Sequence, residues 1–267
     1  MVNTVSFPLL SLKINVSKIA FSIFGISIYW YAVIIVFGII TALFVLKKID
    51  KLYGIEYNQI LDLVIFMLPI SIISARIYYI LFKLDTYILN PASMLDFRSG
   101  GLAIYGGIIG GIITCIVYCK IKKINILDIL DYLAPALTIA QSIGRWGNFV
   151  NIEAYGSKTT LPWRMGIYEI GEYIEVHPTF LYESICTFVI FLILIKLQNN
   201  RKFKGEIASI YLILYSFARF FIEGLRTDSL MIGQFRISQI LSVIIFMLSI
   251  GYFIYNSNKN RKQEKKE

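Results

Sequence analysis

The segment FSIFGISIYWYAVIIVFGIITALFVL, Phe21–Leu46, carries no charged residue and is closed by Lys47, Lys48 and Lys51. A helix rises about 1.5 Å per residue, so roughly 20 apolar residues cross the hydrocarbon core of a bilayer. Six further runs repeat the pattern, at about Ile60–Phe82, Gly100–Cys119, Leu127–Ile143, Thr179–Leu197, Ile207–Ile222 and Ile237–Tyr255. Such long unbroken runs differ from the alternating segments of about 10 residues that build a transmembrane barrel. Hydrophobic residues fill 57% of 267 positions, and mean hydropathy is +0.68. The fold class is all-α: a polytopic membrane protein with seven transmembrane helices. One integral membrane domain over 1–255 is followed by a basic tail over 256–267.

The net charge of +9 does not point to nucleic acid. Lysine and arginine collect in short loops and in the tail, where membrane topology selects them, and not on a soluble face. Loops after the first, third and fifth runs and the tail hold three, three, four and five of them. The N-terminal segment and the remaining loops hold two, two, three and two. The positive-inside rule then puts the N-terminus outside and the C-terminus in the cytoplasm. Cys115, Cys119 and Cys186 lie in apolar runs without a CxxC spacing, and His177 is the one histidine, so neither a disulfide framework nor a metal centre is expected. No cofactor motif appears, and no removable signal peptide precedes the first run.

Several features carry two meanings. Met1–Ser17 reads as an amphipathic entry lying on the membrane. Tyr29, Trp30 and Tyr31 fit an aromatic belt. Arg76, near the end of the second run, is either functional or snorkels to the interface. Asn90-Pro91 marks a turn in the loop Lys83–Ser99. The glycine pairs Gly100-Gly101, Gly106-Gly107 and Gly110-Gly111 suit close helix packing, although those flanking Tyr105 could also bare the backbone to a ligand.

Two polar constellations stand out. The fourth run, which includes Asp131 and Pro135, delivers the chain into Gly144-Arg145-Trp146-Gly147-Asn148-Phe149-Val150-Asn151-Ile152-Glu153-Ala154-Tyr155-Gly156. The polar region 145–178 then lies at the outer face. In the sixth run, Tyr215, Arg219, Glu223 and Arg226 recur at i, i+4, i+8 and i+11, one stripe of a helix. An Arg219–Glu223 pair could be structural glue. Two arginines against one carboxylate leave a positive surplus, however, and guanidinium pairs phosphate in bidentate fashion. A phospholipid headgroup sits at that depth. An anion transporter would also carry intramembrane arginines, but the halves of the chain show no repeat and the polar groups gather at one face.

These residues resemble the prolipoprotein diacylglyceryl transferase family. The likeness rests on Gly144–Glu153, Tyr29-Trp30-Tyr31, Gly100–Gly107, the run His177-Pro178-Thr179-Phe180-Leu181-Tyr182-Glu183, and Arg219 with Glu223 and Arg226, in order along the chain. The resemblance implies a seven-span enzyme of the bacterial plasma membrane. Such an enzyme moves the diacylglyceryl group of phosphatidylglycerol to the sulfur of the lipobox cysteine of a preprolipoprotein, forming a thioether and releasing glycerol phosphate. This is the first step of lipoprotein maturation. The family's essential positions correspond here to Tyr31, Arg145, Asn148, Glu153, Gly156, Arg219, Glu223 and Arg226. Many members have histidine where this chain has Tyr105 and Tyr29, and glycine where it has Ile152 and Ala32.

The expected catalytic set is Tyr105, Arg145, Asn148, Glu153 and Arg219. The expected substrate-binding set is Tyr31, Arg145, Asn148, Gly156, Tyr215, Arg219, Glu223 and Arg226, with no metal. The nucleophile is the substrate's thiol, whose reference pKa of about 8.5 falls near arginines. An oriented positive site therefore matters more than a strong base. In this scheme Arg145 and Arg219 hold phosphate, Asn148 and Tyr105 position glycerol and thiol, and Glu153 and Glu223 orient arginines. His177 supports the start of the fifth run.

Overall fold

A computed structural model describes residues 2–96 and 100–264. Phe97–Ser99, in the expected loop after the second span, and the last three residues of the tail lie outside the described residues. Among the described residues, seven helices are long and apolar enough to cross a membrane. They are α1 (Trp30–Ile49), α2 (Tyr57–Leu81), α4 (Ile104–Lys122), α5 (Ile126–Asn151), α6 (Thr179–Leu197), α7 (Glu206–Leu225) and α8 (Ile237–Glu264), with a short α3 (Leu84–Leu89) between α2 and α4. The seven-span reading holds, with three differences in where helices begin and end.

The first difference is at Phe21, where the first span was expected to start. The chain there forms a hairpin of β3 (Ile19–Ile23) and β4 (Ile26–Tyr29), and the helix begins only at Trp30. The turn residues Phe24 and Gly25 take φ of 48° and 77°, a left-handed pair that ends any helix. The second lies in α5, which runs through Arg145 and Asn148 to Asn151, so these are helical residues and not loop residues. The third is that α8 continues without a break through most of the basic tail to Glu264.

The stretch read as an amphipathic entry is built of strands over residues 2–7 and 12–17. β1 (Val2–Phe7) and β2 (Leu12–Ser17) pair antiparallel, and β1 also meets β5 (Met165–Glu169), which forms a hairpin with β6 (Glu172–Val176). The sheet order is β2-β1-β5-β6. The two-residue alternation along β1 explains the strand. It sends Val5 inward, fully buried with Val16, Met165, Ile167, Ile174, Val176 and Phe180, with Phe149 and Ile152 against them. The end of α5 is thus docked on the sheet by Phe149 and Ile152. A second small hairpin, β7 (Met231–Ile232) and β8 (Phe235–Arg236), joins α7 to α8.

Contacts divide the chain into two compact units, one of Met1–Lys48 with Leu130–Glu267 and the other of Ile49–Ile129. In the first, α6 and α7 pack with α5 through Ala134, Ile190, Leu194, Ile207 and Tyr211. Tyr132 of α5 donates a 2.8 Å hydrogen bond to Leu46 O of α1. Asp131, fully buried, accepts from the N–H groups of Gly205 (2.7 Å) and Ala208 (2.8 Å) and pairs with Arg201 at 2.7 Å. A carboxylate from another helix therefore caps α7, satisfying amides that its own first turn leaves open.

In the second unit α4 lies directly on α2. A Cβ on Gly106 would come within 2.5 Å of Ser74 O, and one on Gly110 within 2.4 Å of Ser74 Oγ. The glycines flanking Tyr105 on its C-terminal side are therefore helix-packing residues. Arg76 does not snorkel. It is buried and donates to four backbone carbonyls, of Ser93 (2.6 Å), Met94 (3.0 Å), Gly100 (2.7 Å) and Gly101 (3.1 Å). Its charge is spent on shaping the segment that leads into α4.

Candidate functional site

Three spans of the first unit bring their polar residues to the same end. These are the last turns of α5, the first turns of α6 and the last turns of α7. Arg145 of α5 donates to Glu183 Oε1 of α6 at 2.6 Å, and Arg219 of α7 donates to Glu183 Oε2 at 2.8 Å. Tyr215 donates to Glu183 Oε1 at 3.0 Å. One carboxylate thus receives two guanidinium groups and a phenol. The Arg145 and Arg219 side chains are 21% and 16% exposed, against 4% for Glu183 and 2% for Glu223. The cations are the more exposed members of the cluster.

The stripe predicted on α7 is real, and its residues meet in part as expected. Arg219 Nη2 lies 2.6 Å from Glu223 Oε2, and Arg226 Nε lies 4.0 Å from the same atom. Glu223 Oε2 is buried and, despite these charges, has no aligned hydrogen-bond donor among the described residues. The two observations agree if the contact is read as an ion pair whose N–H vectors point elsewhere. Arg226 is clamped instead by Asp228, through contacts of 2.9 and 2.8 Å. Burial would raise the Asp228 carboxyl, but these bonds outweigh it and hold the group below its ordinary range.

The positive surplus of the stripe is met by carboxylates from elsewhere in the chain. Arg145, Arg219 and Arg226 face Glu183, Glu223 and Asp228, so the six charges balance. The balancing carboxylates come from α6 and from the turn after α7, off the stripe from which the surplus was read. Neither was in the expected site. Glu183 had a signal, since a carboxylate one turn into an apolar span is costly unless it is used.

Asn148 occupies the turn after Arg145 and accepts from Arg145 Nη1 at 3.2 Å, the i,i+3 neighbour relation of a helix. Its amide nitrogen donates to Glu153 Oε1 at 2.9 Å, as does that of Asn151 at 3.3 Å. Glu153 therefore orients asparagines, whereas it was expected to orient arginines. Tyr31, in the first turns of α1, lies within electrostatic reach of both Glu153 and Arg145. Its ring covers Gly147 so closely that a Cβ there would come 2.6 Å from Tyr31 Cδ2. Tyr105 stands in the first turn of α4, in the other unit.

Gly156 proves to be a crossing point of the chain. Its N–H donates to His177 O at 2.9 Å, and it bridges to Arg226 while Ser157 N–H donates to Leu225 O at 2.8 Å. A Cβ would meet His177 Cβ at 2.7 Å, Thr179 Cγ2 at 3.0 Å and Leu225 O at 3.1 Å. Any larger residue would have to displace His177, Thr179 or the Leu225 carbonyl next to Arg226. His177 sits just before α6, as expected, with Nδ1 at 3.2 Å from Tyr182 OH, which accepts from Trp163 Nε1 at 2.8 Å. Burial lowers the affinity of its imidazole for a proton.

Seven apolar helices among the described residues, three of which bring an arginine–carboxylate cluster together, define a multi-pass membrane protein. The family model for prolipoprotein diacylglyceryl transferase matches residues 18–255. The chain belongs to that family. A phosphatidylglycerol–prolipoprotein diacylglyceryl transferase of Finegoldia magna is 50% identical over 234 residues, 87% of this chain and 93% of its own. Proteins of the same name from Clostridioides difficile and Listeria monocytogenes are 45% and 44% identical, covering 94% and 90% of this chain and 99% and 90% of theirs.

Proposed function

We propose that this chain transfers the diacylglyceryl group of phosphatidylglycerol to a prolipoprotein, with Arg145 and Arg219 as the seat of the lipid phosphate. The observation that carries the assignment is the pair of guanidinium groups, from two different spans, held on the two oxygens of Glu183 and each partly exposed. Each guanidinium has five N–H donors, and the contacts to Glu183, Asn148 and Glu223 leave others for a ligand. Donors fixed before the ligand arrives stabilise charge that develops on a leaving group without a cost of reorganisation.

The acceptor is the thiol of the lipobox cysteine, and the setting is the outer leaflet of the bacterial plasma membrane, with the N-terminus outside and the C-terminus in the cytoplasm. As sulfur attacks the glyceryl carbon, the S–C bond forms and the C–O bond to phosphate breaks. The bond's electron pair leaves with glycerol phosphate, and the thiol proton ends on that phosphate or in water. Arg145 and Arg219 meet the growing phosphate charge. Asn148, locked by Glu153, places the glycerol, and Tyr31 lines the approach. Gly156 and Glu223 set Arg226 in place. The balance of charge in the free site favours an exchange of anions over accumulation of them.

The purified protein, phosphatidylglycerol vesicles and a peptide with a lipobox cysteine should yield thioether-linked diacylglyceryl peptide. The same peptide with serine should yield none. A cysteine peptide recovered unmodified from active-site-intact protein would refute the assignment. Arg219→Gln should abolish transfer in a protein that remains folded, and near-normal turnover in that variant would remove arginine from the phosphate seat.

A further inference from the structure

We infer that Glu183 is a positioning residue for the transfer reaction: a buried counter-ion that sets the spacing of Arg145 and Arg219 and limits their hold on the departing phosphate. The inference rests on the phosphate-seat reading above and goes beyond it. Two guanidinium groups from separate helices repel each other, and more strongly where water is scarce. Glu183 places one carboxylate oxygen on each of them, at 2.6 Å and 2.8 Å. Tyr215 adds a hydrogen bond to Oε1 at 3.0 Å, which fixes the carboxylate and spreads its charge. The difference in exposure matters most. With the glutamate side chain at 4% exposure and the arginines at 21% and 16%, the nitrogen atoms are the more accessible part of the cluster for an incoming anion.

Two consequences follow from the charge. A carboxylate paired with the arginines disperses their positive field, so a phosphodiester binds less tightly than two bare guanidinium groups would allow. The leaving phosphate monoester carries more negative charge than the diester it came from, and a site without Glu183 would retain it most of all. Binding energy that also holds the product does not raise turnover. A residue that merely glued α5, α6 and α7 together would show no such asymmetry.

The test uses steady-state transfer in mixed micelles, with phosphatidylglycerol, a lipobox cysteine peptide and glycerol phosphate as the added inhibitor. Glu183→Gln keeps the side chain's shape and removes its charge. It should lower kcat by about tenfold or more, leave KM for phosphatidylglycerol unchanged or reduced, and tighten inhibition by glycerol phosphate by about tenfold, the ratio expected for one lost charge contact. Glu183→Asp retains the charge and should restore wild-type inhibition. Unchanged kcat and inhibition in Glu183→Gln would overturn the inference. So would a fall in kcat accompanied by a raised KM and weaker inhibition, the pattern of a structural prop. If Glu183→Gln does not fold, Tyr215→Phe carries the test with the opposite sign. Without the phenol, the carboxylate holds the arginines harder and glycerol phosphate inhibits less; unchanged inhibition would refute it. Glycerol phosphate that fails to inhibit the wild type sinks the phosphate seat itself. Inhibition that is normal in the wild type and unaltered in the variants sinks only the role of Glu183.

Discussion

Replacing Gly147 with alanine separates what the helix prefers from what the site needs. In the interior of a helix, alanine is favoured over glycine by about 1 kcal/mol. At this position the new Cβ would lie 2.6 Å from Tyr31 Cδ2, 2.9 Å from Cε2 and 3.4 Å from Cγ. Ordinary carbon contacts begin near 3.5 Å, so the ring has to retreat by about 1 Å. Such overpacking costs about 1–3 kcal/mol, which the propensity gain offsets in part. Stability therefore changes little, by about 1 kcal/mol. At the proposed site activity responds differently, because Tyr31 is within electrostatic reach of Glu153 and Arg145, and a displacement of about 1 Å near a reacting centre can cost about 100-fold. The assay is the transfer rate together with thermal unfolding in detergent for Gly147→Ala. Gly251→Ala is the control, since a Cβ there meets nothing within 4 Å. A Gly147→Ala protein with wild-type turnover would refute the view that Tyr31 must sit where Gly147 lets it.

Three further outcomes follow from named contacts. Ala154 takes φ of 57°, where alanine is strained by about 1–2 kcal/mol, so Ala154→Gly should stabilise the fold by about 1 kcal/mol in chemical or thermal unfolding. Asp131→Asn removes the charge that pairs with Arg201 beneath the cap of α7, and should destabilise by about 3 kcal/mol, read as a lower midpoint of thermal unfolding. Tyr155, outside the spans, is pushed up to about 12 by burial and by its hydrogen bond to Glu169. Because the unfolded phenol ionises near about 10 and the folded one later, the folded state binds more protons between those values. Stability contributed by Tyr155 is thus present below about pH 10 and lost as pH rises towards about 12, and Tyr155→Phe should flatten that part of the profile.

Spans are legible in sequence because a bilayer demands length and apolarity before anything else. The charged stripe on α7 is legible because helical period is a local rule. What escapes is carried by partners distant in the chain. Phe21–Tyr29 is apolar enough to continue a span, and only its left-handed turn at Phe24-Gly25 and the pairing of β3 with β4 say otherwise. Val5 faces a core made largely by residues after Met165, so nothing within the first strand marks it as half of a sheet. Glu183 was in view inside a family motif, yet its place between two arginines depends on how α5 and α7 flank α6. Gly156, expected at the ligand, also stands at a crossing of the chain, where the space beside it is taken by His177, Thr179 and Leu225.

That crossing bears on how the protein is made. Ser157 N–H is held by Leu225 O, and β1 is paired to β5 through Ser6 and Gly166. A ribosome releases the first strand long before its neighbour exists, and releases the loop around Gly156 before the helix that closes over it. Contacts so far apart in the chain are late and slow to form. Arg219, Glu223 and Arg226 enter only with α7, the sixth span, where Arg226 meets Glu223 as its i,i+3 neighbour. A nascent chain with only five spans inserted therefore has no complete site to expose to lipid, and catalytic competence arrives together with the finished topology.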